Sequence, residues 1–309
     1  VSYGSFPPAP GRRGGTLAVV LAALIPVCCA GWLLWSHLGG SDPEGGGGRA
    51  GGSGTPTASS TSSPPPSSRP PSSPGPGTAP GTAPDTALKG KVVVIDPGHN
   101  PNNRDHPAQI ARRVDIGTNK KECDTTGTAT NSGYAEASFT LDVARRARAL
   151  LEARGATVKF TQDGKTAYGP CVDERAEIGN KAQADAVVSV HADGAGPGER
   201  GFHIILPKGV HGGGADTSAI TKPSRRLGER LLDSFTRETG SEPADYVGDG
   251  SGLNVRGDLG GLNLSTVPKV FIECGNMRDA KDAAHLTDAH WRERAARGIA
   301  QGITDFLNG

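Results

Sequence analysis

Four side chains, His99, Glu136, His191 and Glu273, have the types and the placement of a hydrolytic metal site. The β-branched run Lys91-Val-Val-Val-Ile stops at Asp96-Pro97-Gly98, and His99 follows on the turn, so its imidazole stands at the carboxyl end of a buried strand. Open α/β sheets keep their active sites at that end. His191 closes a second such run, Ala186-Val-Val-Ser-Val-His, Glu136 opens an amphipathic helix between the two histidines, and Glu273 ends Lys269-Val-Phe-Ile-Glu. Catalytic zinc sites commonly use three protein ligands, two His and one Glu being one such set, and leave a position for water. The metal lowers the pKa of that water to about 7 and polarises the scissile carbonyl, while a nearby carboxylate carries the proton to the leaving nitrogen. The chain therefore offers His99, Glu136 and His191 as ligands of one zinc ion and Glu273 as the base. Asp96 and Asp193 lie close enough in sequence to the histidines to orient an imidazole from behind.

Each part also has a plainer reading. A histidine after a strand can be a loop hydrogen-bonder, and Glu136 at a helix start favours the macrodipole without any metal. Glu273 is harder to dismiss, because an unpaired carboxylate at the end of an apolar strand is costly. His106, His203, His211, His285 and His290 have no comparable context and read as surface or packing residues.

The elements that must position these groups alternate in type. Lys91–Ile95, Thr157–Thr161, Ala186–Val190, Phe202–Leu206 and Lys269–Ile272 read as strands, with a short one near Leu253–Val255. Ala135–Arg154, Val172–Ala184, Pro223–Glu238 and His285–Leu307 carry apolar residues at helical spacing. Strands separated by helices predict a three-layer α/β/α domain with a mainly parallel sheet. The stretch from His99 to about Asn131 is a long polar loop, unusual in a compact domain and a reason to suspect function.

The chain divides by composition into a short basic tail at 1–16, an apolar run at 17–38, a Gly/Ser/Pro/Thr tract at 39–88 and the alternating region at 89–309. The apolar run has the length of a membrane span, with Trp32 and Trp35 near one end. Arg12 and Arg13 before it and Asp42 and Glu44 after it predict a single-pass anchor with the later region outside the cell. A cleaved signal sequence is the alternative. The tract at 39–88 buries too little apolar surface to offset its ordering entropy and is expected to be disordered. Lys plus Arg number 33 and Asp plus Glu 32, and the region after Lys89 holds 28 against 29, with no basic surplus of the kind nucleic-acid binding needs. Cys123 and Cys171 fall in loops and form the natural disulfide pair in an oxidising compartment, whereas Cys274 follows an apolar strand and reads as a small buried residue.

Over nearly all of residues 90–309 the sequence resembles the zinc-dependent N-acetylmuramoyl-L-alanine amidases of the type-3 family. The resemblance lies in Val94-Ile-Asp-Pro-Gly-His99, Gly133-Tyr-Ala-Glu-Ala-Ser-Phe139, Ser189-Val-His-Ala-Asp193 and Phe271-Ile-Glu-Cys-Gly275. It implies a zinc-exopeptidase-like fold, zinc on His99, Glu136 and His191, a catalytic Glu273 and peptidoglycan as substrate. Arg175 and Asn180 look like the family's Arg-x-x-x-x-Asn stretch and are read as structural. Gly260-Gly-Leu-Asn-Leu264 resembles the family's substrate-facing loop, which makes Asn263 a substrate-loop candidate. The loop Arg104–Asn131, with Cys123, is similar to an actinobacterial branch. After Glu273 the run Gly275-Asn-Met-Arg-Asp279 departs from the Gly-Phe common in the family, which leaves the shape of the cleft open. The rival expectations are a catalytically silent wall-binding module and a zinc carboxypeptidase or endopeptidase acting on stem peptides. Nothing in the sequence sets the oligomeric state.

Overall fold

The computed structural model describes residues 86–309. The basic tail, the apolar run at 17–38 and all but the last three residues of the tract at 39–88 lie outside the described residues. Leu88, at the end of that tract, is fully buried in the main core, and its amide bonds Arg154 O at 2.9 Å. Among the described residues no helix is long and apolar enough to cross a membrane.

Among the described residues there are ten strands: β1 Val92–Pro97, β2 Arg113–Asp115, β3 Lys120–Glu122, β4 Thr157–Phe160, β5 Ala186–Asp193, β6 His203–Pro207, β7 His211–Gly212, β8 Ala215–Asp216, β9 Leu253–Arg256 and β10 Lys269–Asn276. Six of them make one sheet in the order β4-β1-β5-β10-β6-β9. The first four run parallel, while β6 is antiparallel to β10 and parallel to β9. The α-helices are α1 Pro107–Ile110, α2 Glu136–Ala153, α3 Val172–Lys181, α4 Thr221–Thr239, α5 Gly260–Asn263, α6 Ala280–Thr287 and α7 Ala289–Asn308, with 3-10 turns at Asn103–Asp105 and Gly248–Gly250.

Strand alternation sorts the sheet's two faces. Val93, Ile95, Val188, Val190, Val270 and Ile272 join Phe139, Val143, Leu227, Leu231, Phe235, Trp291 and Ile299 in the main core, so α2, α4 and α7 cover that face. Val94 and Val187 pack with Ile178 of α3 on the other face. The expected three layers are therefore present. The central strands are buried on both faces, which is why they read as continuous apolar runs rather than alternating ones.

Two expectations change. The long polar loop after β1 is not structureless: it folds as a 3-10 turn at Asn103–Asp105, the short helix α1 and the hairpin β2–β3. The final helix is two, because Asp288 stops α6 and its carboxylate accepts the Trp291 amide at 2.6 Å to start α7. Between β6 and α4 the described residues form the small hairpin β7–β8.

On α7, Gly298 and Gly302 lie where α4 crosses. A Cβ at Gly302 would stand 2.8 Å from Leu231 Cα and 3.0 Å from Arg230 O, both backbone atoms that cannot swing aside. Gly302→Val is expected to push α7 off α4 and cost about 1–3 kcal/mol by overpacking, read as a lowered midpoint in denaturant unfolding. An unchanged midpoint would contradict this close approach.

Candidate metal centre and active site

β1, β5 and β10 end together at one edge of the sheet, and β6, running the other way, begins there. His99 sits just past β1, with φ of 59° on the turn after Gly98. His191 and Glu273 are register partners on β5 and β10, and Glu273 is in turn the partner of His203 on β6. Partners in register present their side chains on one face, so these three form a row. Glu136 is the first residue of α2 and reaches the row from the helix N-terminus.

The nitrogen and oxygen atoms offered by His99, Glu136 and His191 all lie within 4.8 Å of one another, and all three residues are buried. Glu136 Oε1 is 3.0 Å from His191 Nδ1 and 3.3 Å from His99 Nε2. Its other oxygen accepts the Thr128 amide at 2.9 Å, and Oε1 accepts the Ala192 amide at 3.2 Å. Burial opposes ionisation of Glu136, but the two imidazoles outweigh it and hold the carboxyl well below the usual range. Burial also opposes charging of His99, yet the carboxylates of Glu136 and Asp124 push it up to about 10. The site thus calls for positive charge between its donors. His99 Nε2 is buried without a hydrogen-bond partner among the described residues. Two imidazole nitrogens, one of them without a hydrogen-bond partner, and a carboxylate fit a divalent cation.

Glu273 is 0 % exposed. Near it, Asp193 accepts the Tyr246 hydroxyl at 3.0 Å, and burial together with the charge of Glu273 raises the Asp193 pKa. His203 is also buried, and desolvation pushes it down to about 4, so it stands neutral beside Glu273 at ordinary pH. His203 was expected at the surface or in packing. The strand that carries it was visible, but its antiparallel direction, which brings its first residue to the active edge, leaves no mark in local sequence.

The residues expected behind the imidazoles need correction. Asp96 receives Arg175, Thr161, Lys269 and Ser189 rather than an imidazole, and only through Ser189 Oγ does it approach His191 Nε2, which is 3.2 Å from that hydroxyl. Asp193 turns to Tyr246 and the Gly194 amide. The carboxylate beside His99 is Asp124, at 3.5 Å from Nδ1, with Thr125 O at 3.1 Å. Asn263, the substrate-loop candidate, is 1 % exposed, and its amide donates to Gly257 O at 3.0 Å and Thr118 Oγ1 at 3.2 Å, tying its short helix to the β2–β3 hairpin. Cys123 and Cys171 are joined in a disulfide, and Cys274 is free and buried. Arg175 lies buried under the site, while Asn180 bridges Leu264 O and the Thr266 amide, each at 2.8 Å.

Gly98 lets β1 pass directly under the His191 ring. An added Cβ would stand 2.2 Å from His191 Cε1 and 2.4 Å from Nδ1. Gly98→Ala is expected to displace that ring and abolish stoichiometric uptake of a divalent cation, measured by metal analysis after dialysis. Full occupancy in a folded variant would show that the ring is not needed where it lies.

The family model described as N-acetylmuramoyl-L-alanine amidase matches residues 93–305. The N-acetylmuramoyl-L-alanine amidase Rv3717 of Mycobacterium tuberculosis is 38% identical over 221 residues, spanning 71% of this chain and 88% of that protein. The crystal structure of the N-acetylmuramyl-L-alanine amidase Ami1 from Mycobacterium smegmatis superposes with a TM-score of 0.66 at 40% identity, over 71% of this chain and 98% of that one. The apo Ami1 of Mycobacterium abscessus gives 0.65 at 40% identity, over 71% of this chain and 100% of its own. With the family model matching residues 93–305 and a relative 38% identical over 88% of its own length, this chain belongs to the N-acetylmuramoyl-L-alanine amidase family.

Proposed function

We propose that the protein hydrolyses the amide between N-acetylmuramic acid and L-alanine in peptidoglycan, with one zinc ion held by His99, Glu136 and His191 and with Glu273 as the catalytic carboxylate. The observation that carries this reading is the convergence of the three ligand atoms within 4.8 Å, with Glu273 in register with His191 on the next strand. Zinc, when bound, supplies Lewis-acid polarisation of the carbonyl and an acidified water.

The protein's own groups supply the remainder. Glu136 brings negative charge to the centre and is itself favoured by the N-terminus of α2. Glu273 takes a proton from the attacking water and delivers it to the amide nitrogen as the C–N bond breaks. The products are the lactyl carboxylate on the sugar and the free amine of L-alanine. His203, neutral beside Glu273, adds no second charge that would quench the base.

We further propose that the segment at 17–38 tethers this activity to the membrane, with the tract at 39–88 as a spacer outside it. Support comes from the sequence: an apolar run of spanning length, flanked by Arg12 and Arg13 on one side and Asp42 and Glu44 on the other. At roughly 3 Å per extended residue, some fifty residues would reach on the order of 150 Å.

The purified protein acting on peptidoglycan is expected to release intact stem peptides bearing a new amino-terminal alanine, detected by mass spectrometry. A chelator should abolish this release and zinc restore it. Shortened peptides still attached to glycan would point instead to a peptidase, and binding at full zinc occupancy without any product to a silent wall-binding module. Glu273→Gln should keep its zinc and lose about 10²–10⁴-fold in turnover; retained turnover would remove Glu273 from the mechanism. In cell fractions, the protein should resist extraction by salt and carbonate and yield to detergent. Recovery in the medium, shortened at its amino terminus, would favour signal cleavage.

A further inference from the structure

Both histidines of the metal centre are held from behind by one continuous chain of buried polar groups. His99 Nδ1 lies 3.1 Å from Thr125 O, 3.2 Å from Thr125 Oγ1 and, at ion-pair distance, 3.5 Å from Asp124 Oδ1, and Asp124 Oδ2 accepts Arg175 Nη2 at 2.8 Å. Arg175 Nη1 donates to Asp96 Oδ1 at 2.7 Å and to Pro97 O at 2.8 Å. Asp96 Oδ2 accepts Ser189 Oγ at 2.8 Å and Lys269 Nζ at 3.2 Å, and Ser189 Oγ lies 3.2 Å from His191 Nε2. The path from one imidazole to the other passes through a single guanidinium. Its rigid planar fork sends one amino group to each carboxylate in a fixed geometry, which the compact, rotatable ammonium of a lysine does not reproduce.

The charges in this chain balance, two carboxylates against Arg175 and Lys269, and every member is buried. Such a cluster is weak evidence for stability, since replacing buried ion pairs by apolar residues is often neutral. Hydrogen bonds behind metal ligands, in contrast, fix the orientation of imidazoles and typically govern metal affinity.

The disulfide meets this chain on both sides of Arg175. Cys123 directly precedes Asp124, and Cys171 is the N-cap of α3, four residues ahead of Arg175. Around it, the Val172 amide bonds Cys123 O at 2.7 Å and Arg112 Nη2 bonds Cys171 Sγ at 3.1 Å. The covalent bridge therefore fastens the loop that carries Asp124 to the helix that carries Arg175.

We propose that Arg175 is the positioning residue of the metal centre, acting on His99 through Asp124 and on His191 through Asp96 and Ser189, and that the Cys123–Cys171 disulfide holds this clamp in register so that metal affinity depends on the bridge. Reduction by an external thiol, which supplies two electrons and two protons and leaves two cysteine thiols, frees the Asp124 loop from α3. His99 then loses its fixed orientation while Glu136 and His191 keep theirs. This inference rests on the metal reading of the site.

The test compares the full chain with Arg175→Lys, Ser189→Ala and the double variant Cys123→Ser with Cys171→Ser. Zinc affinity is measured by competition with a chromophoric chelator, the visible spectrum of bound Co²⁺ reports coordination geometry, and thermal unfolding of the metal-free proteins controls for folding. Arg175→Lys and the double serine variant are expected to bind zinc on the order of 10–100-fold more weakly, with altered Co²⁺ spectra, and Ser189→Ala about tenfold more weakly. Should Arg175→Lys fail to fold, the other two variants decide. Folded variants whose zinc affinity stays within about twofold of the parent, with unchanged Co²⁺ spectra, overturn the proposal. A parent chain that takes up no zinc overturns the metal centre and the clamp together, which separates the two failures.

Discussion

A carboxylate at the end of a strand buried on both faces must find opposite charge inside the protein, and Asp96 is in that position. Burial alone would raise its pKa, but Lys269 and Arg175 outweigh that penalty and keep it ionised far below the usual range. Lys269 comes from β10 and Arg175 from α3, while Ser189 and Thr161 contribute hydroxyls from β5 and from the end of β4. One carboxylate thus joins three strands, the residue after a fourth, and a helix, at the edge where the active site lies. The cost of leaving it unpaired would be several kcal/mol, so the relative placement of these elements is narrowly defined.

The active edge inherits that definition. His191 follows Ser189 by two residues on β5, so both point to the same face, and Glu273 follows Phe271 in the same way on β10. The Phe271 ring stacks on His191 with centroids 5.1 Å apart, which fixes the imidazole plane. Glu136 arrives from the opposite helical layer, and it is the N-terminus of α2, wrapped around the sheet edge, that allows a residue of that layer to meet side chains of the other face. Carboxylates with different surroundings then diverge: Glu136 is held ionised by imidazoles, whereas Asp193 is driven toward its protonated form.

Much of this was legible in the residues. The strand that ends just before His99 and the strands carrying His191 and Glu273 are apolar runs with abrupt ends, and a strand buried on both faces produces that pattern. The helix begun by Glu136 shows its period through Phe139, Val143, Ala147 and Leu151, all buried against the sheet. Cys123 and Cys171 stood out because both lie in loops. The partners of the imidazoles were legible only in part: Asp124 lies in a polar stretch with no period, Asp96 reaches His191 only through Ser189, and Asp193 turns to Tyr246. Asn263 was nominated by the family resemblance of its loop, and what that resemblance does not show is that Gly260 and Gly261 are small so that the short helix can press on Ile116, Val172 and Phe271.

The sequence by itself determined the alternation of strands and helices, the ends at which reactive side chains stand and the family resemblance, because period, turn chemistry and short motifs are local properties of the chain. Only the tertiary structure decided that β6 runs antiparallel and delivers His203 to Glu273, that Arg175 links the two imidazoles, and that the disulfide ties Asp124 to α3. Those relations join residues dozens of positions apart. They are decided by strand direction and by the need to neutralise buried charge, neither of which leaves a periodic mark on the chain.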